Sequence, residues 1–422
     1  MRSSTAASSE QKNGSLGTAI LLVFLPFAGG YFLSYVYRTV NAVIAGRLVA
    51  DLSLDASDLG LLTATYFLTF AAFQIPLGLL LDRFGPRRVQ SFLLLFAAFG
   101  AALFAFAPSL GLLTVGRAFI GLGVSGALMA SFKAITLWFP KARWPLVNGC
   151  FLASGGLGAI GATVPVELLL GATDWRGLFA GLSLATALIA LLIFKVVPEK
   201  GEVGQAHSLQ EAVSGLLEIY SNRFVWRILP FAVVFQAVSL SLQGLWIGPW
   251  LRDVAGFSQA QVAQNLLFVA LFFTFGAVGS GFVADRLERR GFSIYRIMGF
   301  GALFFLLAQA LVLLDVLPHP VLGWLLFALT TTSTMLAYPA LCRAFPLHYT
   351  GRVNTAINLP VFVLAFTVQY AIGGVLNLWS QDAQGGYPAV GYDVAFGGLL
   401  VIEVLCYLWF VFSRAETGPA RR

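Results

Sequence analysis

Twelve apolar runs divide this chain, each long enough for the roughly 20 residues that a helix needs to cross a bilayer core. They fall at about 18–48, 59–81, 89–108, 111–138, 146–170, 177–197, 226–251, 259–283, 294–316, 320–343, 354–378 and 392–413. No water-soluble fold can absorb so many. Of the 422 residues, 58% are hydrophobic and only 11% are charged, whereas a soluble domain carries roughly 25% charged residues. Too little charge remains to cover a water-facing surface, so a bilayer is the solvent for most of the chain. The expected fold is an all-α membrane protein of twelve spans, numbered 1 to 12 in chain order.

The basic residues set the expected orientation. Of the 26 Lys and Arg residues, twenty fall in the tails and links on one side. Only Arg47, Arg176 and Arg252 fall on the other, and Arg38, Arg117 and Lys133 lie within apolar runs. That asymmetry puts both termini in the cytoplasm. It also explains the net charge of +7 without nucleic acid, because no single soluble face collects the charge. Cys150, Cys342 and Cys406 lie inside apolar runs, and His207, His319 and His348 stand singly in links. No disulfide framework, metal spacing or hydrolytic constellation follows from them. No enzyme, cofactor or metal site is expected.

The chain repeats itself. Residues 78–88 read GLLLDRFGPRR, and a weaker copy, GFVADRLERR, occupies 281–290, so that Gly78, Asp82 and Arg83 correspond to Gly281, Asp285 and Arg286 at an offset of 203. Phe139-Pro140 followed by Val147-Asn148 returns as Phe345-Pro346 followed by Val353-Asn354, at an offset of 206. Duplicated halves of six spans are a transporter signature, with the substrate site near the midplane between them. The expected organisation is a disordered cytoplasmic tail (1–16), a six-helix bundle (17–197), a cytoplasmic linker (198–225), a second bundle (226–413) and a tail (414–422). In the linker, Ser208 to Glu211 form a capping-box pattern. Leu209, Val213, Leu216, Leu217 and Tyr220 follow with helical spacing, which predicts an amphipathic helix on the membrane face.

Over essentially its whole length the sequence resembles the major facilitator superfamily. Gly78, Asp82, Arg83, Gly85, Arg87 and Arg88 match that family's loop motif between helices 2 and 3. Arg117, Gly121 and Gly123 match its helix-4 motif, and Asp174 to Phe179 (DWRGLF) is similar to its turn before helix 6. The resemblance implies two bundles rocking about a central cavity lined mainly by spans 1, 4, 7 and 10. It further implies that Gly78, Asp82, Arg83, Gly85 and Arg87, with Asp285 and Arg286 in the second copy, take part in closing the cytoplasmic side. Arg117 becomes a candidate for coupling or packing.

Polar groups inside the spans point to the cargo. Arg38 sits well inside span 1, where a cation costs at least about 2.5–3.5 kcal/mol on insertion scales. Tyr31, Ser34, Tyr35, Arg38 and Asn41 recur at spacings of three or four and share one face. The segment YVYRTVNA also resembles the helix-1 arginine region of organophosphate/phosphate antiporters and of anion:cation symporters, which implies that Arg38 meets an anionic group. Span 7 offers Gln236, Ser239, Gln243 and Trp246, while span 10 offers Thr331, Thr334 and Tyr338. Where organophosphate antiporters carry a second arginine, this chain has Ser241 and Gln243. That departure favours a monocarboxylate, another lightly charged anion, or a zwitterion.

Coupling candidates are fewer. The positions that carry acids in anion:cation symporters hold Tyr37 and Val124 here. Glu167 in span 5 and Glu403 in span 12 are the acids inside apolar runs, and Glu167 is the candidate proton carrier. Lys133, toward the inner end of span 4, is a further cavity candidate. The sequence therefore predicts a monomeric secondary transporter of a small organic anion or zwitterion in a bacterial-type inner membrane. Its expected partners are that solute, the lipid bilayer and, as a coupling ion, the proton. An exporter of amphipathic drugs or siderophores, and a transporter-like sensor without flux, are the alternatives.

Overall fold

The computed structural model describes residues 17–140, 143–199, 209–346, 349–382 and 385–413. The expected tails (1–16 and 414–422) and Ser208 of the linker pattern lie outside them. Among the described residues, ten helices are long and apolar enough to cross a membrane. Two bent pairs, Ala56–Ala72 with Gln74–Leu81 and Val147–Gly161 with Val164–Leu170, turn through 44° and 40° and bring the number to twelve. Span 1 is Gly17–Thr39, extended by Asn41–Leu52, and the first bent pair is span 2. Spans 3 and 4 are Arg83–Ala105 and Leu110–Trp138, the second pair is span 5, and span 6 is Trp175–Val196. The second half comprises Arg223–Asp253, Gln259–Arg289, Ile294–Leu313, Val321–Cys342, Gly351–Leu376 and Ala389–Phe412 as spans 7 to 12. The protein is an integral membrane protein of the all-α class.

Local sequence starts and stops these helices. Asp55 and Asp58 close a capping box at span 2, and Ser258 and Gln261 close another at span 8. Asp174 accepts from the Gly177 N–H at 2.7 Å to start span 6. Between spans 2 and 3, Gly85 takes φ +75°, a backbone state that side chains disfavour and glycine permits. The outward faces carry large exposed apolar groups such as Phe92, Leu184, Val278, Phe282 and Leu405. In lipid such faces are the solvated ones. The expected linker helix is present at Leu209–Tyr220, and Tyr220 donates to the Ala356 carbonyl of span 11 at 2.8 Å.

Spans 1, 4, 7 and 10 share a second property: each departs from α-helical winding near its middle. Leu25–Thr39 and Asn41–Leu52 are separate segments either side of Val40. Ser125 and Gly126 interrupt span 4, the wider π turn Leu242–Trp246 interrupts span 7, and the tighter 3-10 turn Thr332–Leu336 interrupts span 10. Such breaks re-aim side chains and free backbone groups where a helix lines a cavity.

The two halves meet most closely at the ends away from the linker, here called the far side. A side chain on Gly373 in span 11 would fall on the Ala56 carbonyl oxygen at the start of span 2, so only glycine permits this crossing. The Ala56 N–H is capped from across the halves by Asn377 Oδ1 at 3.2 Å and the Tyr387 hydroxyl at 3.0 Å. The far side is closed.

Candidate functional site

A cavity of about 660 Å³ lies between the halves and extends to Gly351, at the linker end of span 11. The breaks in the four central spans all contribute to its wall, through Thr39, Ser125, Gln243 and Met335. Arg38 is the one charged residue among the described residues that line it. Its guanidinium carbon stands 4.8 Å from the ring centre of Tyr35, 5.6 Å from Phe70 and 5.9 Å from Phe362. These three rings come from spans 1, 2 and 11. Arg38 Nε is buried without a hydrogen-bond partner, and the Tyr66 hydroxyl lies close to the guanidinium. Aromatic faces attract a cation, but they leave the Nε–H donor unused. No acid pairs with Arg38 among the described residues.

The remaining polar wall is neutral. Tyr338 donates to Asn358 Oδ1 at 2.6 Å, Gln236 to Thr334 at 3.2 Å, and Gln243 to Ser239 at a long 3.4 Å. Tyr31 stacks on Phe151 and donates to the Tyr35 hydroxyl at 3.4 Å. Arg38, Tyr31, Tyr35, Gln243 and Tyr338 all line this cavity.

Asn41 and Trp246 do not. Asn41 is buried and donates to Thr63 of span 2 at 2.8 Å. Trp246 closes the π turn, whose extra residue rotates it off the Gln236–Gln243 stripe, and its indole donates to the Gln369 carbonyl at 3.2 Å. Phe70, Phe362 and Gln74 line the cavity without having been singled out. Among 38 phenylalanines, nothing local marks the two that touch Arg38.

The three coupling candidates also have other partners. Glu167 takes both Arg47 nitrogens at 2.7 Å, on the far side and off the cavity wall. Arg117 is buried against Phe104 and Phe179, where it donates to the Tyr37 carbonyl at 3.0 Å. Lys133 donates to the Leu81 carbonyl at 2.9 Å, at the end of span 2.

At the linker side, Arg87 donates to the Phe194 carbonyl at 2.9 and 2.5 Å, and Arg88 pairs with Glu199 at 2.5 Å. Neither bond reaches the second half. Arg83 rests on the Phe84 ring, and Gly78 faces open space. The Asp82 side chain lies outside the described residues. In the second half Asp285 pairs with Arg289, Glu288 pairs with Arg343, and Arg286 is exposed. On the far side Arg176 pairs with Asp51.

The sequence model of the Major Facilitator Superfamily matches residues 27–368. The chain belongs to the major facilitator superfamily. It is similar to the probable sulfoacetate transporter of Cupriavidus necator, 30% identical over 62% of this chain and 64% of that relative. This chain thus spans just under two thirds of that relative. It is 24% identical to the niacin transporter of Acinetobacter baylyi (85% and 78% covered) and 24% identical to a quinolone resistance transporter of Acinetobacter baumannii (92% and 93% covered). Its fold matches a bacterial homolog of the human lysosomal transporter Spinster, in an inward-facing and unoccupied conformation, with a TM-score of 0.74. That match has 19% identity and covers 92% of this chain and 95% of that one. All of these are transporters, and the chain is a member of this transporter superfamily, not an enzyme.

Proposed function

We propose that the protein is a secondary transporter that carries a small carboxylate-bearing solute by alternating access, with Arg38 as the anion site. One observation carries this reading: a half-buried arginine, ringed by three aromatic side chains, faces an internal cavity with no acid beside it among the described residues. A cation held that deep in a bilayer needs a partner, and a planar guanidinium fits a carboxylate through paired N–H donors. The niacin transporter among its relatives is named for a monocarboxylic acid, which agrees with a singly charged anionic cargo.

With the far side closed and the cavity reaching Gly351, the conformation corresponds to access from the linker side. The excess of basic residues on that side assigns it to the cytoplasm of a bacterial-type inner membrane. The state is then inward-facing, like that of the Spinster homolog. Proton coupling and a monomeric state complete the proposal.

A thermal-shift screen tests it. A ligand at 100 times its Kd stabilises the folded state by about 2.7 kcal/mol, so organic acids that raise the melting temperature of the wild type should leave Arg38→Gln unmoved. A ligand that stabilises both equally contradicts the assignment. The aromatic lining and the quinolone resistance relative favour a second reading, export of amphipathic drugs, in which uncharged aromatic compounds would stabilise both proteins.

A further inference from the structure

We propose that the substrate carries a single negative charge and, about one helical turn from it, a neutral hydrogen-bonding group received by Tyr338 and Asn358. This rests on the reading of Arg38 as the anion site. It goes further by excluding dianions and zwitterions and by assigning the other end of the molecule.

Charge is the first argument. Arg38 is the one charged residue among the described cavity-lining residues. A second carboxylate would lose its water against neutral side chains without gaining a cation. An ammonium group would find no carboxylate in the wall and would share the cavity with Arg38. The acid next along the chain from a lining residue is Glu167, four positions after Thr163, and both of its oxygens are held by Arg47.

Geometry is the second. Phe362, part of the ring around Arg38, and Asn358 lie four residues apart on span 11, so they share one face about one turn apart, roughly 6 Å along the axis. Asn358 Oδ1 accepts from the Tyr338 hydroxyl at 2.6 Å. That bond leaves the Asn358 N–H donors and the second lone pair of the Tyr338 oxygen available to the cavity. The pair can therefore both donate and accept, which suits a hydroxyl. The Phe70 and Phe362 rings, packed on each other at 4.4 Å, form an apolar wall of the cavity beside Arg38. A para-hydroxylated aromatic acid has this shape.

Binding to the purified full-length protein, measured calorimetrically with four matched probes, tests the proposal. The probes are 4-hydroxybenzoate, benzoate, terephthalate and 4-(aminomethyl)benzoate. The expected order places 4-hydroxybenzoate first and benzoate second, with the dianion and the zwitterion at least tenfold weaker than 4-hydroxybenzoate. In a Tyr338→Phe, Asn358→Ala variant, affinity for 4-hydroxybenzoate should fall about tenfold to that of benzoate. Benzoate binding should stay within twofold, which also shows that the variant is folded. The proposal is overturned if terephthalate or 4-(aminomethyl)benzoate binds as well as 4-hydroxybenzoate, if the variant weakens both monoanions alike, or if none of the four binds. Benzoate binding that survives Arg38→Gln contradicts the anion site itself. Loss of benzoate in Arg38→Gln without selectivity among the probes contradicts only the second pole.

Discussion

Arg47 and Glu167 meet in a two-point ion pair, with both N–O distances at 2.7 Å, and this bond ties span 1 to span 5 at the far side. It engages the acid that the sequence offers for proton coupling. Glu167→Gln should leave Arg47 uncompensated and lower stability by about 1–3 kcal/mol, between the limits for exposed and buried pairs. The response of flux to an imposed pH gradient should be unchanged. Thermal melts in detergent and uptake at several gradients measure both; a lost gradient response would restore Glu167 as the proton carrier.

Closure of the far side depends on the contact between Gly373 and the Ala56 carbonyl. Gly373→Val should hold the halves apart there and bias the protein toward the opposite access state. A cysteine at the cavity-lining Thr39, in a background without Cys150, Cys342 and Cys406, reports on this. Its labelling by an impermeant thiol reagent from the far side should rise several-fold in the valine variant. Equal labelling would show that the crossing does not control access.

Tyr387 contributes to the same closure by a different bond. Its hydroxyl accepts from the Ala56 N–H and donates to Asn377. Tyr387→Phe removes a cap on span 2 that is supplied from the other half, a change worth about 1 kcal/mol. The same Thr39 cysteine should show a smaller shift in the same direction as Gly373→Val.

Glu403 is buried in span 12 and accepts from Gln309 Nε2 at 2.6 Å, while its other oxygen has no partner. Glu403→Gln keeps an oxygen for Gln309 and should be nearly neutral. Glu403→Leu strands the amide and should cost about 1–3 kcal/mol. Melting temperatures of the two variants, compared with wild type, decide this.

The spans were legible because a bilayer leaves little freedom: an apolar run of that length must be a helix across it. Arg38 was legible through the energetic cost of its position. Trp246 was not, because spacing of three or four assumes unbroken α winding and the π turn at Leu242–Trp246 departs from it, and Asn41 was not, because its amide pairs with Thr63 of the neighbouring span 2. Arg87 was legible as part of a motif, but its bond to the Phe194 carbonyl depends on how spans 3 and 6 pack. Phe70 and Phe362 lie far apart in sequence and meet at Arg38 through tertiary packing alone.

Counterflow in proteoliposomes tests the central claim most directly, using an organic acid that stabilises the wild type. A charge-assisted hydrogen bond is worth about 1.5–3 kcal/mol, and each 1.4 kcal/mol is about tenfold in affinity. Arg38→Gln should therefore lose about tenfold to a hundredfold in apparent affinity, while Arg38→Lys keeps the charge without the fork and should fall between it and wild type. Wild-type exchange in Arg38→Gln would contradict the account.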